Sequence, residues 1–212
     1  AVSYTIQKLI SRNDGTLTPF TYHGAVVTDF EVTQDVGGFL VINFSFDSED
    51  EDTSTAAGTP TYPATGDPFC WTEAAITVNA LAVEATAFSL NANMGLKTDR
   101  RFLRNSALKS QPKRAAMPEY TGELTAEFTD SDQYDAFVAG TVFAITATWT
   151  GAEIDAGEFN TFSINMPACQ YDGTTPEAAV EDMTMQTLPF KVLYDGSNPA
   201  ITVTYTSADT AL

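Results

Sequence analysis

Apolar and polar residues alternate with a period of two along most of this chain. Val26, Thr28, Phe30 and Val32 fall on one side of an extended run, and Val27, Asp29, Glu31 and Thr33 on the other. That period places neighbouring side chains on opposite faces of a strand, so it predicts half-buried β-structure. A second run, Leu40, Ile42, Phe44 and Phe46 against Val41, Asn43 and Ser45, follows Gly37-Gly38. The glycine pair supplies the positive φ of a tight turn, so the two runs are expected to pair as a long hairpin over residues 26–46. Further runs set Ile76 and Val78 against Thr77 and Asn79, Phe88 and Leu90 against Ala87 and Ser89, and Leu124, Ala126 and Phe128 against Glu123, Thr125, Glu127 and Thr129. Phe143, Ile145, Ala147 and Trp149 oppose a row of threonines; Phe162, Ile164 and Met166 oppose Ser163 and Asn165; Ile201, Val203 and Tyr205 oppose Thr202 and Thr204. Threonine, β-branched, suits the outward positions of such strands.

Three segments break the pattern. Around 131–140 the spacing changes to that of a short helix, with Asp130 or Ser131 as its cap, Tyr134, Phe137 and Val138 on one face, and Gly140 as its end. One helix among hairpins predicts a mainly β domain, a sandwich or barrel with a single flanking helix and long loops. Residues 47–68 open with Asp47-Ser48-Glu49-Asp50-Glu51-Asp52 and run on through Gly, Pro, Thr and Ala, which reads as a long acidic loop. Residues 97–114 hold Lys97, Arg100, Arg101, Arg104, Lys109, Lys113 and Arg114, seven of the ten basic residues in the protein.

That clustering matters because the whole is acidic: 28 Asp and Glu against 10 Lys and Arg leave a net charge of −18. Such a surface repels polyanions and argues against tight nucleic-acid binding by the chain as a whole. At 212 residues the length suits one large domain, taken as 1–212. No apolar stretch approaches a membrane span. Cys70 and Cys169 are far apart, without a CxxC, and read as buried thiols in strand-like contexts. Ala1 stands where a methionine would, which fits either processing or a place within a longer polypeptide.

Catalytic chemistry finds little to work with. The lone histidine, His23, excludes multi-histidine metal sites and leaves a nucleophile a single possible base, with no GxSxG nearby. There is no P-loop and no GxGxxG. The 47–52 run has calcium-type ligands but lacks the glycine and distal glutamate of an EF-hand. No catalytic, metal or cofactor residue is therefore assigned. The basic segment reads as a solvated loop, a nucleic-acid contact or a protein contact. Phe102 is its sole aromatic, too few for stacking bases. A cationic arm reaching an acidic neighbour of the same kind is the preferred reading, because opposite charges on one surface favour head-to-tail association.

Several passages resemble the tail tube proteins of long-tailed phages, in particular the non-contractile kind. Tyr4-Thr5-Ile6 through Phe20-Thr21-Tyr22-His23-Gly24-Ala25-Val26-Val27 is similar to the family's entry into a long hairpin, and Gly37-Gly38-Phe39-Leu40-Val41-Ile42-Asn43-Phe44-Ser45-Phe46 to its return strand. Phe88-Ser89-Leu90-Asn91-Ala92-Asn93 followed by Arg100-Arg101-Phe102 resembles a strand and arginine-bearing loop. Thr121-Gly122-Glu123-Leu124-Thr125-Ala126-Glu127-Phe128 with Tyr134-Asp135-Ala136-Phe137 resembles a strand and short helix, and Leu188-Pro189-Phe190-Lys191-Val192-Leu193-Tyr194-Asp195 the closing strand pair.

The resemblance implies a structural protein of the virion tail, assembled in the host cytoplasm as hexameric rings that stack around a lumen. DNA passes through that lumen without tight binding; the tape measure protein and tail terminator are expected partners, and no membrane or cofactor is. Family members are often longer at the N-terminus, so Ala1 is not expected to be the natural start. Asp29, Glu31 and Asp35 of the 26–46 hairpin are candidate lumen-lining residues. Candidate inter-subunit contacts are Arg100, Arg101, Arg104, Lys109, Lys113 and Arg114 of one copy against Asp47, Glu49, Asp50, Glu51 and Asp52 of the next. The competing reading is a carbohydrate-binding or adhesin β-sandwich of a tail or surface appendage. It requires exposed aromatics, whereas Trp71 and Trp149 both fall in strand-like runs that favour core packing.

Overall fold

A computed structural model describes residues 2–60, 67–129, 131–173 and 183–208. Ala1, the 61–66 part of the acidic segment and the candidate cap Asp130 lie outside the described residues. In chain order the elements begin with β1 (Tyr4–Ser11), β2 (Leu17–Asp35), β3 (Val41–Asp47), β4 (Asp50–Asp52), a one-turn 3-10 helix (Trp71–Glu73), β5 (Ala74–Val78), β6 (Leu81–Ala82) and β7 (Ala85–Asn93). They continue with β8 (Leu96–Lys97), β9 (Lys113–Arg114), β10 (Glu119–Glu127), α1 (Asp132–Ala139), β11 (Phe143–Asp155), β12 (Glu158–Tyr171), β13 (Met185–Val192) and β14 (Thr202–Thr206). The protein is mainly β, with large antiparallel sheet structure of the sandwich-like kind and one α-helix among the described residues. No helix among them is long and apolar enough to cross a membrane.

The chain divides into two compact units. One comprises Glu31–Ile42, Ala64–Asn91 and Tyr120–Leu212. Its sheet runs β7-β10-β13-β12-β11-β5-β6, with β14 also on β12. Register here follows the hydrophobic pattern: Ile145, Ala147 and Trp149 stand opposite Met166, Ile164 and Phe162, so both apolar sets point to one side. All six are buried, as are Phe88, Leu90, Leu124, Leu188 and Phe190. Trp149 sits 6.1 Å from the Phe88 ring and 5.6 Å from Phe162, within the range of favourable aromatic pairing. Gly122 faces Phe190 across the β10–β13 ladder; a Cβ there would fall 2.3 Å from Phe190 Cζ and 2.6 Å from the Ser89 carbonyl. Only glycine allows that approach.

The helix forms as the spacing predicts, and Gly140 ends it in the left-handed region at φ 62°. Ser131 occupies the cap position but bonds Asp135 Oδ2 at 3.0 Å rather than the helix backbone. Val138, expected on the inner face, is exposed, as is Phe128 just beyond the end of β10. At β14 the alternation also misleads: Val203 and Tyr205 are half exposed, because this strand lies against β12 as its only strand partner among the described residues. Trp71 is not in a strand; it opens the 3-10 turn and is half exposed, whereas Trp149 is core. Cys169 is fully buried and Cys70 partly so, both as free thiols.

The other unit comprises Ala1–Phe30, Asn43–Pro63 and Ala92–Glu119. Here β1 pairs with the first half of β2 from Ser11↔Leu17 to Tyr4↔Ala25. The acidic segment departs from the loop expected of it: Asp50, Glu51 and Asp52 pair with His23, Tyr22 and Thr21 as a short strand. Gly24 makes room for this turn-back, since at φ 65° it lies against the Glu49 side chain, where a Cβ would be 2.9 Å from a carboxylate oxygen.

Candidate interface surfaces

The basic segment is a hairpin with a narrow neck. Leu96 and Lys97 pair with Arg114 and Lys113, and residues 98–112 are the loop between them. Its arginines bind the loop itself. Arg100 Nη1 donates to the Gln111 carbonyl at 2.6 Å, and Arg101 Nη1 to that of Ala107 at 2.8 Å. Arg104 reaches Ser110 Oγ at 2.7 Å and the Leu108 carbonyl at 3.0 Å. These acceptors are neutral. Among the described residues no carboxylate lies in ion-pair range of Arg100, Arg101, Arg104, Lys113 or Arg114, so their charge has no counter-charge there. Arg100 also stacks over Phe102 at 5.4 Å. At the tip Leu103 is wholly exposed, with Phe102 and Leu108 about half exposed.

Of the expected acidic partners, Asp47 is engaged by Lys109 of the same chain, both side chains being about one-fifth exposed. Asp52 accepts from Ser54 and Thr55, and the hydroxyls of Thr55 and then Ser54 hold its carboxyl well below the usual carboxylate range. Asp50 and Glu51 are in β4 and Glu49 lies against Gly24. The basic and acidic segments thus already meet once within a single copy.

Asp29, Glu31 and Asp35 occupy odd positions of β2, on the face opposite the buried Val32 and Gln34. A surface that the alternation did not foretell lies on the return strand. Phe44 is 54% exposed and Phe46 44%, and the two pack at 6.2 Å, with Phe30 beside Phe44 at 6.3 Å and Tyr4 edge-on to Phe46 at 6.4 Å. Alternation marks which residues share a face but not whether that face is covered. Here it is not.

An antiparallel β protein with exposed aromatics on a strand partnered on one side, and a cationic hairpin on an acidic body, has the surface of a structural protein made to meet other chains. Comparison with known families places it: residues 1–206 match the phage tail tube protein family, and the chain belongs to that family. It is a family of structural proteins of the virion tail. No curated protein matches the chain.

Proposed function

We propose that this chain is the repeating subunit of the tail tube, closing into hexameric rings that stack into the conduit for DNA ejection. The observation that carries this is the aromatic strip of Tyr4, Phe44 and Phe46. Apolar side chains about half exposed on β3, which is paired only with β2 among the described residues, are an open template for strand addition. A ring of such additions removes every free edge by closure. Asp29, Glu31 and Asp35 then line the lumen, where like charge keeps the genome from adhering. The cationic hairpin bridges copies, the tape measure protein and tail terminator meet the finished tube, and assembly takes place in the host cytoplasm.

The test is negative-stain microscopy with sedimentation velocity on the purified chain. Rings or tubes are expected, and their loss in a Phe44→Ser, Phe46→Ser double variant of unchanged circular dichroism. A wild-type protein that stays monomeric at high concentration overturns the reading.

A further inference from the structure

One pocket in the sheet-and-helix unit is used by nothing described so far. α1, the β5–β6 turn and the adjacent ends of β10, β11 and β13 enclose about 310 Å³. Its walls are mixed: Val78, Leu81, Phe143 and Leu188 supply apolar surface, and Asn79, Gln133 and Thr141 are polar. Exposed carboxylates of Glu84, Glu127 and Asp132 line its mouth, and no basic residue does. Among the described residues two buried polar atoms of its lining have no partner: the Tyr171 hydroxyl and Gln186 Nε2, in residues 5% and 3% exposed. Burial pushes the Tyr171 phenol up to about 12, so it keeps its proton and remains a donor. A buried donor left unpaired costs about 1–3 kcal/mol, which an acceptor brought in from outside recovers.

We infer that this pocket receives the tip of the 98–112 loop from a second copy of the chain. The tip has the matching chemistry. Leu103 is a wholly exposed apolar side chain suited to the apolar part of the wall formed by Val78, Leu81, Phe143 and Leu188. Arg101 and Arg104 flank it with charge that no carboxylate among the described residues of their own copy balances, and the pocket mouth is acidic. Backbone carbonyls of the inserted tip are the acceptors that Tyr171 and Gln186 lack. The inference rests on the self-assembly proposed above and names the acceptor of the cationic hairpin, which the 47–52 segment, engaged within its own copy, supplies only in part.

Two singly substituted proteins test it, both in a Cys70→Ser background: Leu103→Cys in one and Ala82→Cys, at an exposed pocket-lining position, in the other. Mixed and treated with a short bis-maleimide crosslinker, they are expected to give a covalent pair of the two; each alone is not. In parallel, Leu103→Asp and Glu84→Lys/Glu127→Lys are expected to raise the concentration needed for assembly at least tenfold with circular dichroism unchanged. Both sites are exposed, so neither change disturbs the core. Normal assembly of both variants, or no mixed crosslink in assembled material, overturns the inference while leaving the tube reading intact. A wild-type chain that does not assemble removes the tube reading and this inference together.

Discussion

The Trp149 indole N–H donates to Oε1 of Gln34 at 3.2 Å, and both residues are buried. Gln34 uses its amide nitrogen on the carbonyls of Asp35 and Gly38, at 2.9 and 3.0 Å. One glutamine therefore satisfies the central tryptophan of the core and holds the β2–β3 turn closed. Gln34→Leu strands the indole N–H, while the Asp35 and Gly38 carbonyls keep the backbone amides of Gly38 and Trp71, so the cost is about 1–3 kcal/mol. Urea denaturation followed by tryptophan fluorescence should show a lower midpoint with an unchanged slope; an unchanged midpoint would mean that water replaces the glutamine.

Gly122→Ala should be worse than its size suggests. The added methyl meets the Phe190 ring and the Ser89 carbonyl at distances no real Cβ tolerates, so ladder or ring must move. Overpacking of this kind costs about 1–3 kcal/mol. Pairing with Phe190→Leu should restore part of the loss if the ring is the main obstacle; a double variant no better than the single would point to the carbonyl.

Alkaline pH should unfold the protein in a defined window. Burial pushes the Cys169 thiol up to about 12 from its ordinary 9, and Tyr171 up to about 12 from 10, so the native state keeps protons that the unfolded chain releases. The unfolded state then binds fewer protons, and stability falls as pH rises from about 9 to about 12. Each group steepens the fall by up to about 1.4 kcal/mol per pH unit. Cys169→Ala should flatten the slope above pH 9, and a thiol reagent at pH 8 should modify Cys70 but not Cys169 until denaturant is added. Equal reactivity of both thiols in the native protein would sink this account.

Lys109→Met should loosen the cationic hairpin. Lys109 meets Asp47, whose second carboxylate oxygen is buried with no hydrogen-bond partner among the described residues, so removing the ammonium leaves a largely buried anion uncompensated. A fully buried pair would cost more; with about one-fifth of each side chain exposed, about 1–2 kcal/mol is expected. Faster trypsin cleavage within 98–112 is the expected readout, and an unchanged digestion pattern would show that the arginine-to-carbonyl bonds alone hold the loop.

At Ala80 the turn between β5 and β6 is left-handed, φ 65°, beside Asn79 at φ 49°. An alanine pays about 1–2 kcal/mol there. Ala80→Gly should raise the melting temperature by a few degrees, and a fall would mean that the unfolded-state entropy of glycine dominates.

Much of this architecture is legible in the letters because β-alternation writes the buried face directly. Ile145, Ala147 and Trp149, with Phe162, Ile164 and Met166, are read correctly as one core. The surfaces are harder. Phe44, Val203 and Tyr205 carry the same alternation as core residues, yet nothing among the described residues covers them, and coverage is a tertiary property with no local signature. The acidic run hid β4, because Asp and Glu disfavour strands and the pairing depends on Gly24 far away in sequence. Leu103 beside Phe102, amid the seven arginines and lysines of 97–114, is a readable hint of an exposed apolar tip. The pocket by α1 was not readable: its residues come from six separate segments.

The two-residue neck of β8 and β9 has an evolutionary consequence. It brings the chain back beside the point where it left, so everything between Lys97 and Lys113 is a cassette with fixed ends. Loop length there costs little in closure entropy. Insertions or replacements at the tip, near Asn105, can rewrite which surfaces the protein meets while the sheets inherit no change at all.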